Sequence, residues 1–146
     1  MLQVRNAMQT IKVHLNPGTT LHEAAELMIK YGRDALPVLE GDQLVGMVRL
    51  ADLLTAPLPA HHSPRVPERR GEAELLETWR LLPVRHIMND QVISVTEDMP
   101  LMKAAALLVN NNRQRLPIMR GSKVVGIVSR ADIVRTLLTA QRAGAG

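Results

Sequence analysis

Hydrophobic and polar positions run along this chain in two series that match each other. In LHEAAELMI, residues 21–29, Leu21, Ala24, Ala25 and Met28 recur at the spacing of one helix face, and LMKAAALLV at 101–109 follows the same course. Ahead of each helix lies a short apolar run, IKVHL or QVISV, and behind each comes a pair of short strands. These pairs read LPVLEGDQLVGMV around a Gly41-Asp42 turn and LPIMRGSKVVGIV around Gly121-Ser122. A second helix closes each series, LADLL in one and RADIVRTLL in the other. The order predicted, twice over, is strand, helix, strand, strand, helix.

A shift of 80 positions superposes the two series without a gap from Val4 to Leu54, so that VRNAM (4–8) meets VRHIM (84–88). Such internal similarity marks one supersecondary unit used twice. The backbone signals agree: Thr20 and Glu23 predict a capping box, and Gly32 and Asn112 hold the place after each first helix where a left-handed residue is needed. A three-stranded half of this size exposes too much apolar surface to be stable alone. The expected fold is therefore α/β (α+β), two repeats packed sheet against sheet.

The expected organisation is residues 1–56 as the first repeat, 57–83 as a Pro/Arg-rich linker and connecting helix, and 84–146 as the second repeat. The stretch TAPLPAHHSPRVPERRGE carries four prolines and reads as an extended connection. After it, EAELLETWRLL places Leu75, Leu76, Trp79 and Leu82 at helical spacing. Trp79 is expected to pack that helix over the shared core, with partner binding as the alternative.

Composition narrows the function. With no cysteine the chain has neither disulfides, thiolate metal ligands nor a cysteine nucleophile. No apolar run nears the roughly 20 residues of a membrane span, and MLQVRNAMQT lacks the apolar core of a signal peptide, so a cytoplasmic location is expected. The net charge of +4, with 14 Arg among 18 cations, is compatible with anion binding. One Tyr, one Trp and no Phe leave few platforms for stacking nucleic acid bases, which argues against that class of partner.

Chemistry concentrates in GIVSRADIV (126–134) and its echo GMVRLADLL (46–54). Ser129 and Asp132 have the S-x-x-D spacing of a helix capping box, which needs no ligand. The same geometry suits a nucleotide, because a helix N-terminus offers amides and a positive dipole end to phosphate and a nearby carboxylate accepts ribose hydroxyls. In the first copy Arg49 replaces the Ser and cannot accept a capping bond, yet Asp52 remains; a box without its cap has no special need of its acid, which favours ribose binding, set against the ordinary preference for acids in a first helical turn. Arg49 either clamps a phosphate through its two-pronged donor or fills the space.

Other clusters carry less. His61-His62 lacks acidic or thiolate neighbours at ligand spacing, and HEAAE (22–26) lacks the second His of a zinc protease. Neither a Walker loop, a Rossmann glycine pattern nor a nucleophile motif occurs, so no enzymatic activity is expected.

The ordered set of VRNAM and VRHIM, ALPV and RLPI, and the two segments ending in Asp52 and Asp132 resembles the cystathionine beta-synthase (CBS) domain. Two in tandem resemble a stand-alone Bateman module. The resemblance implies two strand-helix-strand-strand-helix units about a pseudo-twofold axis, with two clefts that take adenosine compounds, and a disc-like homodimer. Carried over by position, one cleft comprises Ser129, Arg130, Asp132, Thr10, Lys12, Val13, Ala35, Leu36 and Pro37. The other comprises Arg49, Asp52, Val92, Ile93, Gln114, Arg115, Leu116 and Pro117. Arg115 corresponds to a position where some members place a phosphate-binding Arg, although a surface charge beside a strand explains it equally. Adenine would lie on the aliphatic walls Val13, Leu36 and Pro37, or Ile93, Leu116 and Pro117.

The function expected is regulatory sensing of AMP, ADP or ATP, with no cofactor required and no metal. S-adenosylmethionine and NAD are alternative ligands; a ligand-free dimerisation module and a nucleic acid binder are alternative classes. An effector protein is expected, and a membrane is not.

Overall fold

The computed structural model describes residues 1–56 and 71–144. Most of the Pro-rich linker and the His61-His62 pair lie outside them. The described chain forms two compact units, Val13–Val92 and a split unit of Met1–Lys12 with Ile93–Gly146.

In the Val13–Val92 unit the elements are α1 (Leu21–Lys30), β1 (Ala35–Glu40), β2 (Gln43–Arg49), α2 (Leu50–Leu54) and α3 (Glu72–Leu81). Strands β1 and β2 form an antiparallel hairpin. The predicted first strand, IKVHL, shrinks to one parallel bridge between Leu15 and Val38. Leu15 donates to the Pro37 carbonyl at 2.9 Å and accepts from Leu39 at 2.8 Å. The next donor of the ladder would be residue 17, a proline without an N–H, so the bridge does not extend forward as Val95–Thr96 does in the second copy.

The split unit contains β3 (Val95–Thr96), α4 (Leu101–Asn110), β4 (Arg115–Arg120), β5 (Lys123–Ser129) and α5 (Arg130–Gly144). Here β3 pairs in parallel with β4, and β4 pairs antiparallel with β5. Each unit thus realises the predicted order, with the first strand of the Val13–Val92 unit reduced to its bridge.

The helix ends follow the residues. Gly32 and Asn112 both take positive φ, 62° and 51°. Beyond α1, Arg33 donates to Met28 at 2.8 Å and Gly32 to Ile29 at 3.3 Å; beyond α4, Arg113 donates to Leu108 at 2.8 Å and Asn112 to Val109 at 3.2 Å. Both are Schellman closures. At the start of α1 Thr20 accepts the Glu23 amide at 3.1 Å, but the Glu23 carboxylate accepts the Thr20 hydroxyl at 3.0 Å. The expected reciprocal box is therefore half formed, with the acid turned to the hydroxyl of the cap.

Each unit's core is closed by the leading segment of the other repeat. Val4 and Arg5 donate to Met99 and Glu97, each at 2.9 Å, and Gln9 exchanges backbone bonds with Ile127, both 2.9 Å. In the same way Val84 and Arg85 donate to Thr19 and Pro17 at 2.7 and 3.2 Å, while Asn89 and Met47 exchange bonds of 2.9 and 3.0 Å. Val4 enters the core of Leu101, Leu108, Leu116, Ile118 and Val128; Val84 enters that of Leu21, Met28, Leu36, Val38 and Val48. Trp79 packs on this second core, and its indole N–H donates to the Leu53 carbonyl at 3.0 Å.

Where the segments cross the hairpins the strand residue is glycine. A Cβ on Gly46 would stand 2.6 Å from Met88 Sδ, and one on Gly126 2.6 Å from Met8 Cε and 2.7 Å from the Gln9 carbonyl oxygen. Gly46→Ala and Gly126→Ala should each lower stability by about 1–3 kcal/mol through overpacking. Met88→Ala should partly rescue Gly46→Ala, because the clash is with a flexible side chain. Met8→Ala should fail to rescue Gly126→Ala, because a backbone oxygen remains. Urea midpoints of the single and double variants measure both couplings.

Candidate functional site

The turn from β5 into α5 places Ser129 and Asp132 where the sequence predicts, and both are buried, 7% and 4% exposed. The Asp132 amide donates to Ser129 Oγ at 3.1 Å, and the Ser129 amide donates to Asp132 Oδ2 at 2.9 Å, a complete capping box. Two further donors meet on Oδ1: Gln9 Nε2 at 2.8 Å and an Arg135 guanidinium nitrogen at 2.7 Å. Burial pushes the Asp132 carboxyl up, but the bonds from Ser129, Arg135 and Gln9 outweigh it and hold the group below the usual carboxylate range. The result is a buried, ionised carboxylate.

The first copy is built differently. The Arg49 amide donates to Asp52 Oδ2 at 2.7 Å, and its guanidinium turns back onto Asp52 Oδ1 at 3.0 Å. Contrary to expectation, Asp52 has a structural purpose: it receives both the amide and the charge of the residue that replaced the cap. Helix α2, moreover, is five residues long, against fifteen for α5.

The remaining residues divide between the units. Of the cleft assigned to Ser129, exposed Thr10 and Lys12 belong to the split unit with Ser129, Arg130 and Asp132, whereas Val13, Ala35, Leu36 and Pro37 belong to the other. Of the cleft assigned to Asp52, Arg49 and Val92 accompany it in the Val13–Val92 unit, and Ile93, Gln114, Arg115, Leu116 and Pro117 lie in the split unit. The side chains of Leu36 and Leu116, each 1% exposed, are spent inside the cores and offer no open wall. Arg115 stands across the hairpin from Ser129. The Arg130 guanidinium donates to the Arg113 and Leu108 carbonyls at 2.8 and 3.2 Å, where it caps the C-terminal end of α4.

Sequence reading missed Gln9 and Arg135. Arg135 was accessible to it, since an Asp and an Arg three apart on a helix are neighbours. Gln9 was not, because 123 positions separate it from Asp132. Among the described residues no cluster of three or more His, Asp or Glu could hold a metal ion.

Comparison with known proteins gives a consistent result. The CBS domain family matches residues 4–58 and 84–139. The CBS domain-containing protein YhcV of Bacillus subtilis is 28% identical over 144 residues, 99% of this chain and 91% of its own length. An A-adding tRNA nucleotidyltransferase of Geobacter sulfurreducens is 25% identical over 90% of this chain, which spans only 13% of that enzyme. Among solved structures, the CBS-pair protein CBSX2 of Arabidopsis thaliana is 26% identical with a TM-score of 0.80, covering 96% of each chain. CBSX2 in complex with AMP is 25% identical with a TM-score of 0.77, covering 97% of this chain and 99% of that one.

The electrostatics of Asp132 give a pH signature. A carboxyl with a depressed folded-state pKa contributes stability that is fully present above its unfolded value of about 4 and is lost as pH falls through the folded value. Asp132→Asn should therefore be less stable than wild type by about 1–3 kcal/mol at neutral pH, and the gap should close progressively below about pH 4. Urea titrations from pH 3 to 7 test this; a gap independent of pH would show that Asp132 is not the ionised anchor.

Proposed function

The chain belongs to the CBS domain family and carries two such domains, and from that premise we propose that it is a cytoplasmic regulatory module in which Ser129 and Asp132 receive an adenosine-containing ligand. The observation that carries the reading is the buried, ionised Asp132 carboxylate at the N-terminus of a long helix. Such a group accepts ribose hydroxyls, and exposed Thr10 and Lys12 follow its partner Gln9 in the same unit. The AMP complex of CBSX2 supports AMP, ADP or ATP as the ligand class. S-adenosylmethionine and NAD share the adenosine and are the alternatives.

The two repeats are chemically unequal in this proposal. Asp52 is bonded by the very residue that stands in the place of Ser129, and α2 has five residues against fifteen for α5, so ligand occupancy is assigned to the Ser129 copy first. Occupancy is passed to an effector protein or to a homodimer contact, without catalysis by the chain itself. Among the described residues no helix is long and apolar enough to cross a membrane.

The homodimer rests on a repeated surface. Ile29 and Leu54 are 75% and 52% exposed on α1 and α2, and their equivalents Val109 and Val134 are 65% and 56% exposed on α4 and α5. Aliphatic residues left exposed at the same positions of both repeats are those a second copy would cover.

Two experiments test these readings. In isothermal calorimetry with AMP, ADP and ATP, Asp132→Ala should weaken binding about tenfold or more, the loss of roughly one charge-assisted pair; unchanged affinity removes the assignment. In sedimentation velocity the wild type should run as a dimer and Val109→Glu with Val134→Glu as a folded monomer. A monomeric wild type at tens of micromolar would refute the dimer.

A further inference from the structure

The geometry points to Arg135 as the residue that sets preference for phosphate at the Ser129 and Asp132 position. The inference rests on the adenosine reading above and goes beyond it, because it concerns which adenosine compounds are admitted.

Acceptor capacity at Asp132 is limited. An ionised carboxylate offers about four lone-pair positions. Three are taken: the Ser129 amide on Oδ2, and Gln9 Nε2 and the Arg135 guanidinium on Oδ1. A ribose presents two hydroxyl donors, so a diol seated on Asp132 must displace a resident donor. The Ser129 amide is backbone at a helix start and cannot leave. Gln9 approaches from a segment whose backbone is held by a double bond to Ile127, 2.9 Å each way. Arg135 is joined through an i,i+3 pair with its side chain 64% exposed, so its charged head can pass directly into water on a flexible stem.

Arg135 is therefore a resident stand-in for ligand donors, which leaves when the diol arrives. The guanidinium released is still carried by α5, one turn beyond Asp132. Its planar fork matches phosphate oxygens, and it gains there the charge pairing that it gave up at Asp132. A nucleoside without phosphate must displace Arg135 with no such return. The first repeat lacks the device: Thr55 occupies the equivalent position, and its hydroxyl is bonded to the Ala51 carbonyl at 3.0 Å.

Calorimetry on the full chain with adenosine, AMP and ADP tests the inference in wild type, Arg135→Ala and Arg135→Gln; Gln keeps a donor but no charge. The expected result is that both variants lose about tenfold in affinity for AMP and ADP, the scale of one charged hydrogen bond. Adenosine should bind Arg135→Ala as well as, or better than, it binds wild type. An equal loss for all three ligands would mean that Arg135 merely supports the fold, and no change for any would mean that it is a bystander; either overturns the inference alone. Wild type that binds none of the three overturns the adenosine reading and the inference with it.

Discussion

The structure depends on the docking of each leading segment onto the repeat that is not its own. A repeat of this length cannot bury enough apolar surface by itself, and neither unit is complete without a valine from the other end of the repeat series, Val4 in one and Val84 in the other, both fully buried. The paired backbone bonds of Gln9 with Ile127 and Asn89 with Met47 hold these segments in register. Gly46 and Gly126 follow from the same constraint, since the Met88 side chain at one and Met8 with the Gln9 backbone at the other occupy the space a Cβ would need. Gln9, moreover, is brought to Asp132 by that docking and by nothing local.

Around this frame the two helix starts solve one problem with different residues. Each must stabilise a first-turn carboxylate and satisfy the amide that opens the helix. The second repeat does so with a hydroxyl cap, a glutamine from the leading segment and an arginine one turn on. The first does so with the amide and guanidinium of a single arginine. The charge is balanced in both, but the Asp132 partners come from three places in the chain and the Asp52 partner from one. The cap of the second helix therefore does not depend on the arginine that balances its carboxylate.

Arg130, beside Ser129 in the chain, spends its guanidinium on carbonyls at the end of α4 and so ties the start of one helix to the end of another. A basic residue in a promising motif is as often a strut as a contact, and only the positions of its nitrogens separate the two.

Element order, the Schellman closures at Gly32 and Asn112, the hairpin turns and the box at Ser129 and Asp132 were determined by the sequence alone. They are local: each depends on residues within a few positions, where hydrophobic period, capping chemistry and left-handed tolerance act directly. The early end of the first strand at Pro17 was legible on the same terms, from a missing donor. What only the tertiary structure decided were matters of long range. These include the exchange of leading segments, Gln9 on Asp132 across 123 positions, and Leu36 and Leu116 turned into the cores rather than toward a ligand. The turning of the Arg49 guanidinium onto Asp52 was, by contrast, open to the sequence, as a pair three positions apart at a helix start. A contact between distant positions follows from the path of the whole chain, which no local spacing encodes.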